Sequence, residues 1–346
     1  MLSGVRMESG RRSTIFDVAR DAQVSIKTVS RVFNEAPNVR VATRERVFEA
    51  ARRLHYHPNV VARGLVGRRS YLLGLFYENP SPNYVYEVQR GAFDRLREER
   101  YRLIVLPVES AAAVADKIVG LVHSAALDGI ILTPPASDDR AILDNLIAAH
   151  VPFTRIAATA YPELGPYTIT DDQAAARDMT SYLIGLGHRR IAMIVGDPTH
   201  PSSRERSAGY REALGAAKID FESDLVRQGN YDFATGYAAA ADLLDLATQP
   251  TAIFAQNDDM AAGAIAAAHD RGIAIPAELS IVGYDDSAIA QVVYPRLTTI
   301  HQPVRELARS AADILIALVE DGPHAAVIEH RSYLVERDSA GPAPPG

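Results

Sequence analysis

Two groups of residues in this chain have the types and spacing for chemistry, and that chemistry is recognition. Ile26, Lys27, Ser30 and Arg31 fall on the outer face of one short helix, near its N-terminal end. In a helix-turn-helix, those positions reach base edges in the DNA major groove. The second group follows a series of short apolar runs: residues 77–79, Thr133, Asp171 with Asp172, Asn257 with Asp258, and Asp285 with Asp286. Carboxylates and amides there can pair with the hydroxyls of a small hydrophilic ligand. Each reads equally well as a helix N-cap, where Asp and Asn belong on local grounds.

Bond-making chemistry has no comparable pattern. Ser202, Ser203, His200 and several Asp residues are present, but no G-x-S-x-G elbow appears. No G-x-x-x-x-G-K-[ST] loop is present. His55 and His57 stand two apart and His188 is isolated, which is not metal-ligand spacing. Asp258-Asp259 and Asp285-Asp286 read as caps and hydroxyl acceptors rather than a magnesium site. The chain has no cysteine, which excludes disulfides, thiolate metal sites and cysteine nucleophiles. No cofactor, metal or enzymatic activity is expected.

The elements that must position the first group are legible. Ile15, Val18, Ala19 and Ala22 make one apolar stripe of a short helix, with Thr14 as cap and Asp17 three residues on. Ser25 is a good N-cap for a second helix, and Val24 can staple onto Val29. Val29, Val32 and Phe33 then face inward. A third helix carries Val47, Ala50, Ala51 and Leu54 on one stripe and should end before Pro58. Residues 58–70 follow as a segment too short and glycine-weakened to be a stable helix alone.

Charge divides the chain in the same place. Residues 1–70 hold 14 Lys+Arg against 6 Asp+Glu, a net of +8, and the remainder holds 22 against 37, a net of −15. A basic arm on an acidic body confines DNA contact to the arm. The length of 346 residues suits two or three domains. No run approaches the roughly 18 apolar residues of a membrane span. The N-terminal stretch lacks the apolar core of a secretory signal, so the chain is read as cytoplasmic.

From about Tyr71, short β-rich runs alternate with helical stretches. The runs cover 72–77, 102–108, 129–134, 153–157, 167–170, 190–196, 252–256, 279–286 and 297–300. Near-continuous apolar strands alternating with helices mean parallel sheets buried on both faces. Nine strands suit two doubly wound subdomains, with a ligand cleft at the strand ends.

The motifs IFDVARDAQVSIKTVSRVFN, TRERVFEAARRLHYHPNVVARGL, SSRERSAGY, AIFAQNDDMAAGAI, LSIVGYDD and PRLTTIHQP resemble the LacI/GalR family of bacterial transcription regulators over nearly the whole chain. The later motifs are shared, more loosely, with periplasmic sugar-binding proteins. The resemblance implies an all-α helix-turn-helix domain over 13–57 and a hinge over 58–70. It also implies a periplasmic-binding-protein-like α/β body over 71–340. Its subdomains would cover about 71–168 with 302–327, and 169–301 with 328–340.

The family's base-reading positions match Ile26, Lys27 and Arg31, and its phosphate contacts match Ser25, Thr28, Asn34 and Thr43, with Arg40 also in reach of a phosphate. Ala62 and Leu65 match its hinge helix, where a leucine wedges into the minor groove. Gln23 departs from the family's turn glycine and should carry some backbone strain. The effector pocket maps onto Ser202, Arg206, Asn257, Asp285 and Gln302, with Tyr231 as a stacking aromatic and Tyr84 and Thr133 from the first lobe. Ala157 stands where the family often has Asp, with Arg155 nearby, which favours an oligosaccharide or a carboxylate-bearing ligand over a plain hexose. The implied protein is a homodimer on a pseudo-palindromic operator. It would be nucleoid-associated through that DNA and repress carbohydrate-utilisation genes until a sugar-like effector releases it or, as the alternative, when such an effector engages it. The alternatives are a sugar receptor of the same fold without DNA function, and an enzyme on that fold.

Overall fold

A computed structural model of the chain describes residues 13–33, 37–56, 69–78 and 81–345. They fall into two compact units that divide between Tyr71 and Leu72.

The N-terminal unit holds α1 (Ile15–Asp21), α2 (Ile26–Phe33) and α3 (Val41–Arg53). Its core is the predicted stripe set: Val18, Ala19, Ala22, Val29, Val32, Val47, Ala50 and Ala51 are all buried together. Each fully buried valine there contributes roughly 1.5–3 kcal/mol. Phe33 closes the core edge-on to Phe48, with ring centroids 5.6 Å apart. The Asp17 carboxylate accepts from the Thr14 backbone N–H at 2.9 Å and from its hydroxyl at 2.7 Å. The Ser25 hydroxyl accepts the Thr28 N–H at 3.1 Å and so caps α2. Between the two helices, Gln23 sits at φ 51°, the left-handed conformation that the turn requires. Arg40 precedes α3 without a side-chain capping bond.

The body begins with β1 (Leu72–Tyr77), α4 (Pro82–Leu96), β2 (Arg102–Pro107), α5 (Ala111–Val114) and α6 (Ile118–Ser124). Next come β3 (Gly129–Leu132), α7 (Arg140–Ala148), β4 (Phe153–Ile156), β5 (Tyr167–Ile169) and α8 (Asp172–Gly185). They are followed by β6 (Ile191–Val195), α9 (Pro201–Ala216), β7 (Val226–Gln228), α10 (Phe233–Leu244), β8 (Ala252–Ala255) and α11 (Asp258–Asp270). The chain ends with β9 (Ser280–Val282), α12 (Ala288–Val292), β10 (Thr299–His301), α13 (Val304–Val319), β11 (Val327–Glu329) and β12 (Tyr333–Val335).

Two parallel sheets result, in the orders β11-β5-β4-β3-β1-β2 and β7-β6-β8-β9, with β10 and β12 as an antiparallel pair. Each sheet belongs to one lobe. The first reaches Ile169 and Glu329, a residue or two beyond the expected 168 and 327. The run expected as a strand over 279–286 stops at Val282, because Asp285 at φ 117° and Asp286 at φ 58° leave the extended region.

The chain crosses between lobes three times: from β5 into α8, from β10 into α13, and from β11 into β12. Within the second lobe, Gly209 lets α9 close on α8, since a Cβ there would lie 2.1 Å from the Gln173 carbonyl oxygen. That approach brings Arg206 against Asp172.

Candidate functional site

On α2, Ser25, Lys27 and Arg31 are exposed, Ile26 is 40% exposed, and Thr28 and Ser30 are half-buried. Ser25 and Thr28 share a hydroxyl–hydroxyl bond of 2.9 Å at the helix start. The face expected to meet DNA is therefore an outward one, held by a buried opposite face. Arg40 is exposed and Thr43 half-buried at the start of α3, and Thr14 is half-buried before α1. Asn34, Ala62 and Leu65, like most of the 58–70 segment, lie outside the described residues.

In the body, a cavity of about 360 Å³ lies among the strand ends of both lobes, within the usual range for small-molecule sites. Seven of the nine residues expected to meet an effector line it: Tyr84, Ser202, Arg206, Tyr231, Asn257, Asp285 and Gln302.

Arg206 is fixed from three sides. Its Nε and a terminal nitrogen reach Asp172 at 3.1 and 3.0 Å, and another nitrogen donates to the Gln256 carbonyl. Its guanidinium lies 3.6 Å from the centroid of the Tyr284 ring. Asp172 also accepts from the Tyr284 hydroxyl at 2.8 Å and the Thr170 hydroxyl at 3.0 Å. Tyr231 holds φ 59° and shares hydrogen bonds with Ser203 and Ser202 at 2.6 and 3.2 Å. Its ring fills the space over Gly196, where a Cβ would lie 2.1 Å away. His200 packs against that ring, and burial pushes its imidazole below the usual range, which keeps it neutral. Asn257 caps α11 through Oδ1 while its Nδ2 donates to the Tyr231 carbonyl.

Two buried polar atoms at the cavity have no partner among the described residues: the Tyr84 hydroxyl and Gln302 Oε1. An unpaired buried group costs about 1–3 kcal/mol. Burial also drives the Asp285 carboxyl well above the usual range, against the opposing pull of Arg206.

Arg155 and Thr133 do not line the cavity. Arg155 is fully buried and donates to the carbonyls of Ser137, Ala160, Tyr161 and Gly165. It is a strut beneath the loop after β4, so it is not placed to meet a ligand carboxylate. Thr133 is turned back onto the Phe76 carbonyl at 3.2 Å, and Pro134 takes its place at the wall.

Sequence reasoning left out Ser81, Thr159, Thr170, Glu205 and Glu329, which also line the cavity, and singled out Asp171 and Asp172 only as strand-end polar residues. Glu205 lies three residues after Ser202, one helical turn on the same face of α9, and that spacing could have found it. Glu329 ends a three-residue strand with no local signal. Among the described residues, no group of acidic, His or Cys side chains has metal-binding geometry.

A helix-turn-helix unit joined to a two-lobed binding body, with a polar cleft between the lobes, defines a ligand-responsive DNA-binding regulator. The family model for bacterial regulatory proteins of the lacI family matches residues 14–59, and that for a periplasmic binding protein-like domain matches 180–340. The probable HTH-type transcriptional repressor ExuR of Bacillus subtilis is 30% identical over 94% of this chain and 98% of its own length. Catabolite control protein A of Priestia megaterium is 33% identical over 87% of this chain and 91% of its own. The lac repressor dimer bound to operator and an anti-inducer superposes with a TM-score of 0.85 at 29% identity, covering 96% of this chain and all of that one. A complex of the transcriptional regulator CelR with cellobiose gives 0.72 at 30% identity, covering 95% of this chain and all of that one. The chain belongs to the lacI family of bacterial regulatory proteins. It is a transcriptional regulator that binds DNA sequence-specifically through its N-terminal unit and responds to a small ligand.

Proposed function

We propose that the cleft binds a polyhydroxylated molecule, a sugar or sugar derivative, and that its binding releases a homodimer from a pseudo-palindromic operator that controls carbohydrate-utilisation genes. The observation that carries this reading is the cavity itself. The Tyr84 hydroxyl and Gln302 Oε1, unpaired among the described residues, belong with the locked Arg206 to a lining set of hydroxyl-matching donors and acceptors. Its kinship with a regulator solved with cellobiose supports the class of ligand. With Arg155 withdrawn under its loop and Arg206 neutralised by Asp172, a carboxylate-bearing ligand loses the cations that favoured it.

Dimerisation follows from the half-site logic of a single helix-turn-helix. The exposed apolar side chains of Tyr86, Phe93, Val292 and Tyr294 are available to bury against a second copy. Base readout falls to Ile26, Lys27 and Arg31, with phosphate contacts from Ser25, Thr28, Asn34, Arg40 and Thr43. Leu65 serves as a minor-groove wedge. The working location is the bacterial cytoplasm, at chromosomal DNA. The alternative of an enzyme has no motif to support it.

A duplex recovered by selection from a random palindromic pool tests the reading. Leu65→Ala is expected to weaken binding to that duplex at least tenfold while sugar-induced thermal stabilisation stays intact. Unchanged operator affinity rules out the wedge. A folded protein that selects no duplex rules out the regulatory reading of this chain's cleft.

A further inference from the structure

We propose that the ligand of this cleft carries a positive charge, an aminated sugar rather than a neutral or acidic one. The inference rests on the sugar reading above and names the missing functional group.

Five acidic side chains line the cavity: Asp171, Asp172, Glu205, Asp285 and Glu329. Burial drives the Asp285 carboxyl up, which leaves Asp171 and Glu329, both exposed, and the half-buried Glu205 to carry the negative charge that Arg206 does not meet. Against them stands Arg206 as the one permanently charged cation among the described lining residues, and Asp172 already neutralises it. Asp171 spends one oxygen on the Ala174 N–H as the cap of α8. The side-chain carboxyls of Glu205, Asp285 and Glu329 have no hydrogen-bond or ion-pair partner among the described residues. Glu329 belongs to the first lobe, at the end of β11, and Glu205 to the second, in the first turns of α9. An ammonium in the cavity would have a carboxylate available from each lobe.

A neutral polyol does not require this surplus. Hydroxyls are matched by a balanced set of amides, hydroxyls and one carboxylate. A uronate is disfavoured, because its charge would meet the like charges of Asp171, Glu205 and Glu329. Gln302, 95% buried with Oε1 unpaired, marks the same cavity as one built for a ligand. Crowding is felt at Glu205: burial, with Asp172 and Asp171 close by, pushes its carboxyl up. An ammonium would reverse that push and complete the charge balance, which a hydroxyl cannot do.

Calorimetric titration of the full chain with matched ligands decides the matter. The panel is glucose, glucosamine, N-acetylglucosamine and glucuronate, with the galactose and mannose counterparts of each. In whichever stereochemical series binds, the amine is expected to bind at least tenfold more tightly than the parent hexose. The N-acetyl form loses that gain, and the uronate binds more weakly than the hexose. In the Glu205→Gln/Glu329→Gln double variant, the ratio of amine to hexose affinity should fall toward one. A uronate or neutral hexose preferred over the amine overturns the inference and leaves the sugar reading standing. So does an amine preference that the double variant keeps. Failure of all members, and of cellobiose and chitobiose titrated beside them, to bind folded protein overturns the sugar reading and the inference together.

Discussion

Asp258 is a fully buried carboxylate whose oxygens accept from the Thr299 hydroxyl at 2.6 Å and the Ser287 N–H at 2.7 Å. Burial outweighs these bonds and pushes its pKa up to about 7. The folded state then holds a proton that the unfolded chain has lost above the ordinary carboxylate range. Stability from this group is complete at low pH and declines as pH rises from about 4 to about 7, with a limiting slope of about 1.4 kcal/mol per pH unit. Asp286 has the opposite sign. Arg337 and His301 hold its carboxyl below the usual range, so its contribution is lost only as pH falls below about 4. Asp258→Asn keeps an acceptor for Ser287 and offers an N–H to Thr299. Thermal melts between pH 5 and pH 7.5 should therefore show a smaller loss of midpoint in the variant than in the parent. Parallel curves would mean that Asp258 titrates normally. At this scale the sequence was partly legible. Asp285, Asn257 and Arg206 stand out by type and motif, whereas Arg155 misleads because its fate is set by a loop that folds over it from residues 157–165.

Among the elements, the helix-turn-helix was readable almost residue by residue, because every determinant is local. Stripes, caps and the staple all lie within a turn or two of one another. Even the strained position was visible: Gln23 occupies a place where glycine is the unstrained choice, and it adopts φ 51°. Gln23→Gly is expected to slow hydrogen exchange of the α1 and α2 amides in the full chain. The stabilisation should be about 1 kcal/mol, since a left-handed conformation costs a side-chain-bearing residue about 1–2 kcal/mol. Faster exchange would show instead that the loss of unfolded-state restriction dominates. The longer strands and helices of the body were equally legible from apolar runs. Strands β7, β11 and β12 were not. Each is three residues long and half-exposed or exposed, and each exists because a distant strand offers it a ladder. Glu329 escaped notice for that reason.

Across the whole molecule, the division of charge into +8 and −15 separates the work of the two units. The acidic body repels DNA, so the basic arm must supply the phosphate contacts. Operator affinity is expected to fall steeply with salt, with a log–log slope set by the number of phosphates neutralised, about −0.9 for each. Effector affinity, formed inside the cleft, should change far less over the same range, and equal salt sensitivity of the two would contradict the division. The cleft also has a hydrogen-bonded tie across it: the Ser81 hydroxyl at the start of α4 donates to Asp259 on α11 at 3.1 Å. The three crossings between lobes give this geometry a mechanical meaning. Joined at three short segments, the lobes cannot slide past one another or drift apart, and the motion left to them is rotation about a pivot. Gln302, Asp171 and Glu329 stand at those segments and also line the cavity. A molecule lodged there acts beside the fulcrum. A displacement of a fraction of an ångström at the pivot becomes a much larger swing at the far ends of the lobes, so the protein is a lever loaded on its short arm.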